Sequence, residues 1–216
     1  MKTPLSPLGR RAAVVTIDLH RGHLDTDVAT MPLPAAQAKL VTRANAEFIT
    51  AARALGLPVI HVVTAYRNVE EISSNPWWSS VAGTDATRSN VLNHQLPGSP
   101  GLELMADVYE PGYDAVVRTK KRYDCFLHTD LELALRSLGI DTLLLTGVNT
   151  NSCVIATTIA ASVRDFSAIV LSDCVATMDS KLHQAALDVI AGAFGWVMDS
   201  HDAIDRIAAA QENSNA

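Results

Sequence analysis

Long apolar runs are missing from this chain. None approaches the ~20 residues needed to cross a bilayer. The opening stretch, Met1-Lys2-Thr3-Pro4-Leu5-Ser6-Pro7, lacks the apolar segment of a signal peptide. Basic runs are missing too. The net charge is −6 and the pI about 5.6, which argues against nucleic acid or an anionic membrane surface as a partner. Cysteine is scarce: three residues, an odd number, widely spaced. That pattern points to reduced thiols in the cytoplasm rather than a disulfide framework. No Cys-x-x-Cys or His-x-x-x-His spacing offers a closed metal site.

What the chain does have is core. Its 216 residues are 48% hydrophobic and 19% charged, which suits one compact α/β domain. Short apolar runs read as strands at Ala12–Ile17, Val59–Val63, Ala115–Val117 (running into Lys120), Leu143–Thr146, Ala168–Leu171 and Trp196–Met198. Between them lie helical patterns. Ala35–Leu55 would place Leu40, Ala44, Phe48, Ala51 and Leu55 near one face. A helix capped by Thr129 runs to Ser137, and others cover 181–191 and 203–210. Continuous apolar strands alternating with helices imply a three-layer α-β-α sandwich around a mostly parallel sheet of about six strands. Two segments break the alternation. Leu19–Pro34 reads as a loop, and Tyr66–Pro100 as a long one holding Pro76-Trp77-Trp78. A connection of that length is usually functional or interfacial; Trp77 and Trp78 are expected chiefly to pack. The tail, Gln211–Ala216, is of low complexity.

Cys153 stands at the head of a strand-turn-helix stretch, Thr142 to Ala156. Gly147 ends the strand, and Thr150, Asn151 and Ser152 are helix-start residues. A thiol in a first helical turn faces unpaired N–H groups and the positive end of the dipole, which favour thiolate. The same N–H groups could hold an oxyanion. Asp18 ends the first strand and Lys120 follows the third. Ligand sites in parallel sheets form at the carboxyl ends of strands. If these strands are neighbours, a nucleophile, a base and a cation meet in one crevice, the set that covalent amide hydrolysis needs.

The order Asp18…Lys120…Cys153 resembles the cysteine hydrolases of the isochorismatase-like superfamily. The matching stretches are Val14-Val15-Thr16-Ile17-Asp18, Val117-Arg118-Thr119-Lys120-Lys121-Arg122-Tyr123-Asp124-Cys125-Phe126 and Thr146-Gly147-Val148-Asn149-Thr150-Asn151-Ser152-Cys153-Val154. The resemblance spans nearly the whole chain and implies one hydrolase domain over residues 1–216. It selects Lys120 over Lys121 as the catalytic lysine. It also implies a cis peptide at Val148–Asn149, an oxyanion hole from the backbone of Asn149 and Cys153, and a homodimer or homotetramer.

The resemblance further implies hydrolysis of a small amide or of a ureido or carbamoyl C–N bond through a thioester; the Gly/Pro/Trp loop, His23 and Asn149 suggest a polar pocket, which favours biuret-like or N-carbamoyl substrates over maleamate or nicotinamide. His23, Tyr123, Asn149 and Asn151 are the candidate substrate contacts. Arg67, Arg118 and Arg122 are weaker candidates for a substrate carboxylate. The Asp-x-His that holds a metal in nicotinamidases is absent after the second strand, so neither metal nor cofactor is expected. Relatives often carry Gln and Phe where this chain has His20 and His23. Cys125 and Cys174 are expected to be small buried fillers. A binding member without catalysis, and a nucleotide-binding domain, are the other classes; Asp18-Leu19-His20-Arg21-Gly22 after the first strand is no G-x-G-x-x-G turn.

Overall fold

The computed structural model describes residues 11–86 and 88–214. Met1–Pro7, which bears on the signal-peptide expectation, and the last two residues of the tail lie outside the described residues.

Six strands form the central sheet: β1 (Ala12–Ile17), β2 (Val59–Thr64), β3 (Ala115–Lys120), β4 (Thr142–Val148), β5 (Ser167–Ala176) and β6 (Trp196–Met198). Their order is β3-β2-β1-β4-β5-β6. Every neighbouring pair is parallel, so the sheet is wholly rather than mostly parallel. Strand side chains alternate between its faces, as the two-residue period requires. Ala13, Val15 and Ile17 of β1, with Leu143 and Leu145 of β4, face one core. There they meet Leu131 and Leu135 of α5 (Leu131–Ser137), Ala160 and Ala161 of α6 (Ile155–Ser162), and Leu187 and Ile190 of α7 (Ser180–Ala193). Ala12, Val14 and Leu144 face the other core, against α2 (Ala35–Ala54) and α8 (Ser200–Ser214).

The face that α2 buries differs from the one its apolar residues suggested. Leu40 is 69% exposed, while Ala38, Val41, Asn45, Phe48, Ile49 and Ala52 are buried. Asn45 explains the rotation. Its amide donates to Val41 O and Cys174 O, both at 2.8 Å, so a polar side chain ties α2 to β5. A second buried polar chain ties the strands together. His61 Nδ1 lies 2.6 Å from Thr16 Oγ1 and His61 Nε2 lies 3.1 Å from Asp114 Oδ2, while Arg53 pairs with Asp114.

Neither irregular segment is bare loop. Arg21–Leu24 form a helical turn, α1, inside Leu19–Pro34. Tyr66–Pro100 holds α3 (Val69–Ser73), α4 (Pro76–Val81) and a 3₁₀ turn at Val91–Asn93. Asn68 and Asn75 cap the two short helices by accepting from Glu71 N and Trp78 N. Ile72, Trp78, Val91 and Tyr66 make a small core of their own beneath the segment.

From β1 the chain moves outward to β2 and β3, then crosses back to lay β4 on the other side of β1. The switch point therefore falls between β1 and β4, where ligand crevices of such sheets open.

Candidate active site

Three strand ends meet at that crevice, with a fourth between them. Asp18 directly follows β1 and takes φ 54°, a left-handed conformation unusual for a residue with a Cβ. β1 and β3 are not neighbours, since β2 separates them. Lys120 therefore reaches across the end of β2, and Thr64 of that strand becomes part of the site. Thr64 N and Oγ1 both donate to Asp18 Oδ1 at 2.8 Å. Lys120 Nζ donates to Asp18 Oδ2 and to Thr64 Oγ1, each at 2.5 Å, and lies 3.5 Å from Cys153 Sγ. Lys120 is 1% exposed and Asp18 0%.

Burial alone would raise the Asp18 carboxyl, but the Lys120 charge opposes it and holds it well below the ordinary carboxylate range. Burial likewise works against charged Lys120, yet Asp18 and Cys153 push it above the usual lysine value. The pair is ionised. Cys153 is different. Burial pushes its thiol above the ordinary value, partly offset by Lys120 and Arg88. This corrects the expectation of a thiolate favoured by a helix start. Thr150–Val154 is a π-helical turn leading into α6, and its cysteine is only 6% exposed, so desolvation is the largest influence on the thiol. The resting site holds a neutral thiol beside an ionised carboxylate and ammonium.

The Val148–Asn149 peptide is cis. Asn149 Oδ1 and Asn151 Oδ1 both accept from Thr177 Oγ1, at 3.3 and 2.7 Å. They line an outer cavity with His23, Met31, Arg88, Met178, Asp179 and Leu182. A smaller inner cavity lies over the Asp18–Lys120–Cys153 cluster. Tyr66, Trp78, Arg88, His94 and Tyr123 are among its walls, and His23, Met31 and Arg88 belong to both cavities. Tyr123 accepts from Trp78 Nε1 at 2.7 Å. Trp78 thus both packs and faces the site, whereas Trp77 is 63% exposed.

His20, His23 and His94 cluster beside Asp18, with His20 and His23 stacked at 4.8 Å between ring centroids and His94 tilted against both. His23 Nδ1 lies 2.9 Å from Met31 O and His94 Nδ1 2.7 Å from Thr30 Oγ1. Neither His20 nitrogen has a hydrogen-bond partner, and Nε2 lies 3.6 Å from Asp18 Oδ1. Among the described residues these three form the one group with the composition to hold a metal, their nitrogens lying within 4.8 Å of one another.

Other candidates lie outside the Asp18–Lys120–Cys153 cluster. Arg67 pairs with Glu71 at the surface. Arg118 is exposed, its Nη1 3.4 Å from Leu102 O. Arg122 reaches the inner cavity wall but its guanidinium is committed to Glu71 O, Lys121 O and Ser74 Oγ. Lys121 turns away to Ala65 O. Cys125 and Cys174 are fully buried, with thiols pushed up by desolvation. Thr64, Arg88 and His94 were not expected. Thr64 ends a strand like Asp18 and Lys120, so the same reasoning could have found it. Arg88 and His94 sit in the long insertion with no local signal.

A wholly parallel α/β sheet with a buried carboxylate, ammonium and thiol at its switch point defines a class of enzyme-like folds. The chain belongs to the isochorismatase family, since the model for the isochorismatase domain matches residues 12–202. It is 34% identical to the ureidoacrylate amidohydrolase of Methylobacterium radiotolerans over 71% of this chain; the match covers 62% of that relative's length. It is 26% identical to the maleamate amidohydrolase of Pseudomonas putida over 92% of this chain and 88% of that one. A crystal structure of a cysteine hydrolase from Pseudomonas syringae pv. phaseolicola superimposes with a TM-score of 0.81 at 25% identity, covering 97% of both chains.

Proposed function

We propose that this protein is a cysteine-dependent amidohydrolase of small linear amides, with a ureido or carbamoyl group as the favoured reacting unit. The observation that carries the reading is the position of Lys120 Nζ, 2.5 Å from Asp18 Oδ2 and 3.5 Å from Cys153 Sγ. An ionised carboxylate, an ammonium and a thiol are thereby joined inside one cavity.

The neutral thiol needs a base, and ionised Asp18 is the group beside it. Asp18 takes the Sγ proton as sulfur attacks the carbonyl carbon. The oxygen gains the negative charge, directed at the backbone N–H groups of Asn149 and Cys153. Losing one such donor typically costs ~10²–10³-fold in rate. Asp18 returns the proton to the departing nitrogen, so the C–N bond breaks as ammonia or an amine leaves and a thioester remains. Water then attacks the thioester, giving a proton to Asp18, and sulfur departs to recover that proton as thiol. Lys120 keeps its proton throughout, holding Asp18 in place and offsetting charge on sulfur. Two relatives support the amide chemistry by name, one acting on ureidoacrylate and one on maleamate.

Ammonia release from biuret, N-carbamoyl amino acids, ureidoacrylate, maleamate and nicotinamide, each compared with Cys153→Ala, tests this reading. Release from a ureido compound that vanishes in a folded Cys153→Ala protein is the expected result. Equal turnover by that variant would end it.

A further inference from the structure

We infer that the cavity shared by the two chambers contains a carboxylate subsite built on Arg88, and that the substrate is an amide or ureido compound bearing a carboxylate. This rests on the amidohydrolase reading and narrows it, favouring ureido and amido acids over neutral compounds such as biuret.

Arg88 lies on the walls of both the inner and the outer cavity. A ligand whose carbonyl rests at Cys153 and whose remainder extends outward must pass it. Its guanidinium stands 4.9 Å over the Tyr123 ring, which orients the fork without neutralising it. Its Nη2 lies 3.3 Å from Ser152 Oγ, a hydroxyl contact that leaves most of its donors uncommitted. Arg53, Arg67 and Arg164 each pair with a carboxylate, but Arg88 has no ion pair among the described residues. The one carboxylate in the outer wall, Asp179, is engaged elsewhere: it caps α7, accepting from Lys181 N and Leu182 N. A guanidinium half out of water, stacked, unpaired and facing a cavity matches a planar anion that it can grip with two parallel hydrogen bonds. The side chains of Asn149 and Asn151 on the same wall add neutral polar groups for the rest of the ligand.

Ureido and amido acids are compared with their methyl esters as substrates for the wild-type protein, Arg88→Met and Arg88→Lys. The wild type is expected to prefer the acid by roughly 10²-fold or more in kcat/KM, chiefly through KM. In Arg88→Met that preference falls to near unity, and Arg88→Lys keeps part of it. Loss of Arg88 charge near the thiol acts on acid and ester alike, so the ratio isolates the subsite. A wild-type preference below threefold, or an acid-to-ester ratio that survives in Arg88→Met, overturns the proposal. A second measurement does not need turnover. Maleate, a small dicarboxylate, is expected to slow alkylation of Cys153 in the wild type and not in Arg88→Met. If no amide is hydrolysed yet maleate protects, the amidohydrolase reading fails and the subsite stands; no protection alongside active hydrolysis of neutral amides removes the subsite alone.

Discussion

Lys120 and Asp18 face each other at 2.5 Å with almost no solvent on either, and among the described residues neither has another opposite charge as near. A buried pair of this kind contributes little over an apolar pair of equal volume, because desolvation offsets the attraction. Breaking one side is costly, typically about 3–5 kcal/mol, because the other charge is stranded.

Lys120→Met is therefore expected to destabilise the fold strongly. The double variant Asp18→Asn, Lys120→Met is expected to recover most of that loss while remaining inactive. Urea unfolding at constant slope measures both. Equal destabilisation in the single and double variants would show that the pair does not carry the effect.

Much of this architecture is legible in the residues, and the parts that are not have physical reasons. Ala12–Ile17 and Trp196–Met198 are strands over the expected spans, since apolar runs of that length bounded by polar or glycine residues leave little choice. Helix α2 is harder. Eight alanines in its sequence blur the apolar stripe, so the buried face is decided by contacts with β5, through Asn45 and Cys174, rather than by local pattern. Strand-end reasoning places Asp18, Lys120 and Cys153 together because topology alone brings them there. It is silent on Arg88 and His94, whose positions depend on how the insertion folds back over the sheet.

Gly147 is fixed by close approach. It has φ 107°, and a Cβ there would lie 2.0 Å from Ile17 O, in the seam between β4 and β1. Gly147→Ala is expected to abolish the folded state, seen as loss of the cooperative thermal transition. Gly192→Ala is the contrast: it lies in α7 with nothing within 4 Å of the added carbon. It should stabilise by up to roughly 0.5 kcal/mol, less than the full helix-interior gain over glycine because Gly192 is next to the last residue of α7. A folded, stable Gly147→Ala protein would mean β1 and β4 separate more easily than their register implies.

Chelation of divalent metals should leave turnover unchanged. The nitrogens of His20, His23 and His94 spread over as much as 4.8 Å, wider than the roughly 3.4 Å between ligands of a tetrahedral ion with ~2.1 Å bonds. The Lys120 ammonium, paired with Asp18 beside them, also disfavours a second cation. Activity lost to a chelator and restored by zinc would instead make this cluster a metal site.

The same histidines set an acid limit on stability. Burial, reinforced by His20, lowers His23 from its ordinary 6.5 to about 3. Burial also holds His94 well below 6.5. In the unfolded chain both titrate near 6.5, so below that pH the unfolded state binds protons that the folded state refuses. Stability is fully present above pH 6.5 and is lost as pH falls toward about 3. At pH 5 His23 alone accounts for about 2 kcal/mol, from 1.5 pH units at roughly 1.4 kcal/mol each. Asp18, ordinarily near 3.8, and Glu71, ordinarily near 4.5, contribute at lower pH, so the window from 6.5 to about 5.5 is governed by imidazoles, partly buried His183 among them. The thermal midpoint is expected to fall across that window. His23→Phe, which keeps a ring against His20 and His94 but cannot take a proton, should flatten the fall, from a lower midpoint at pH 8 because the Nδ1 contact with Met31 O is lost. Parallel acid limbs in wild type and variant would mean that His23 accepts its proton inside the folded protein.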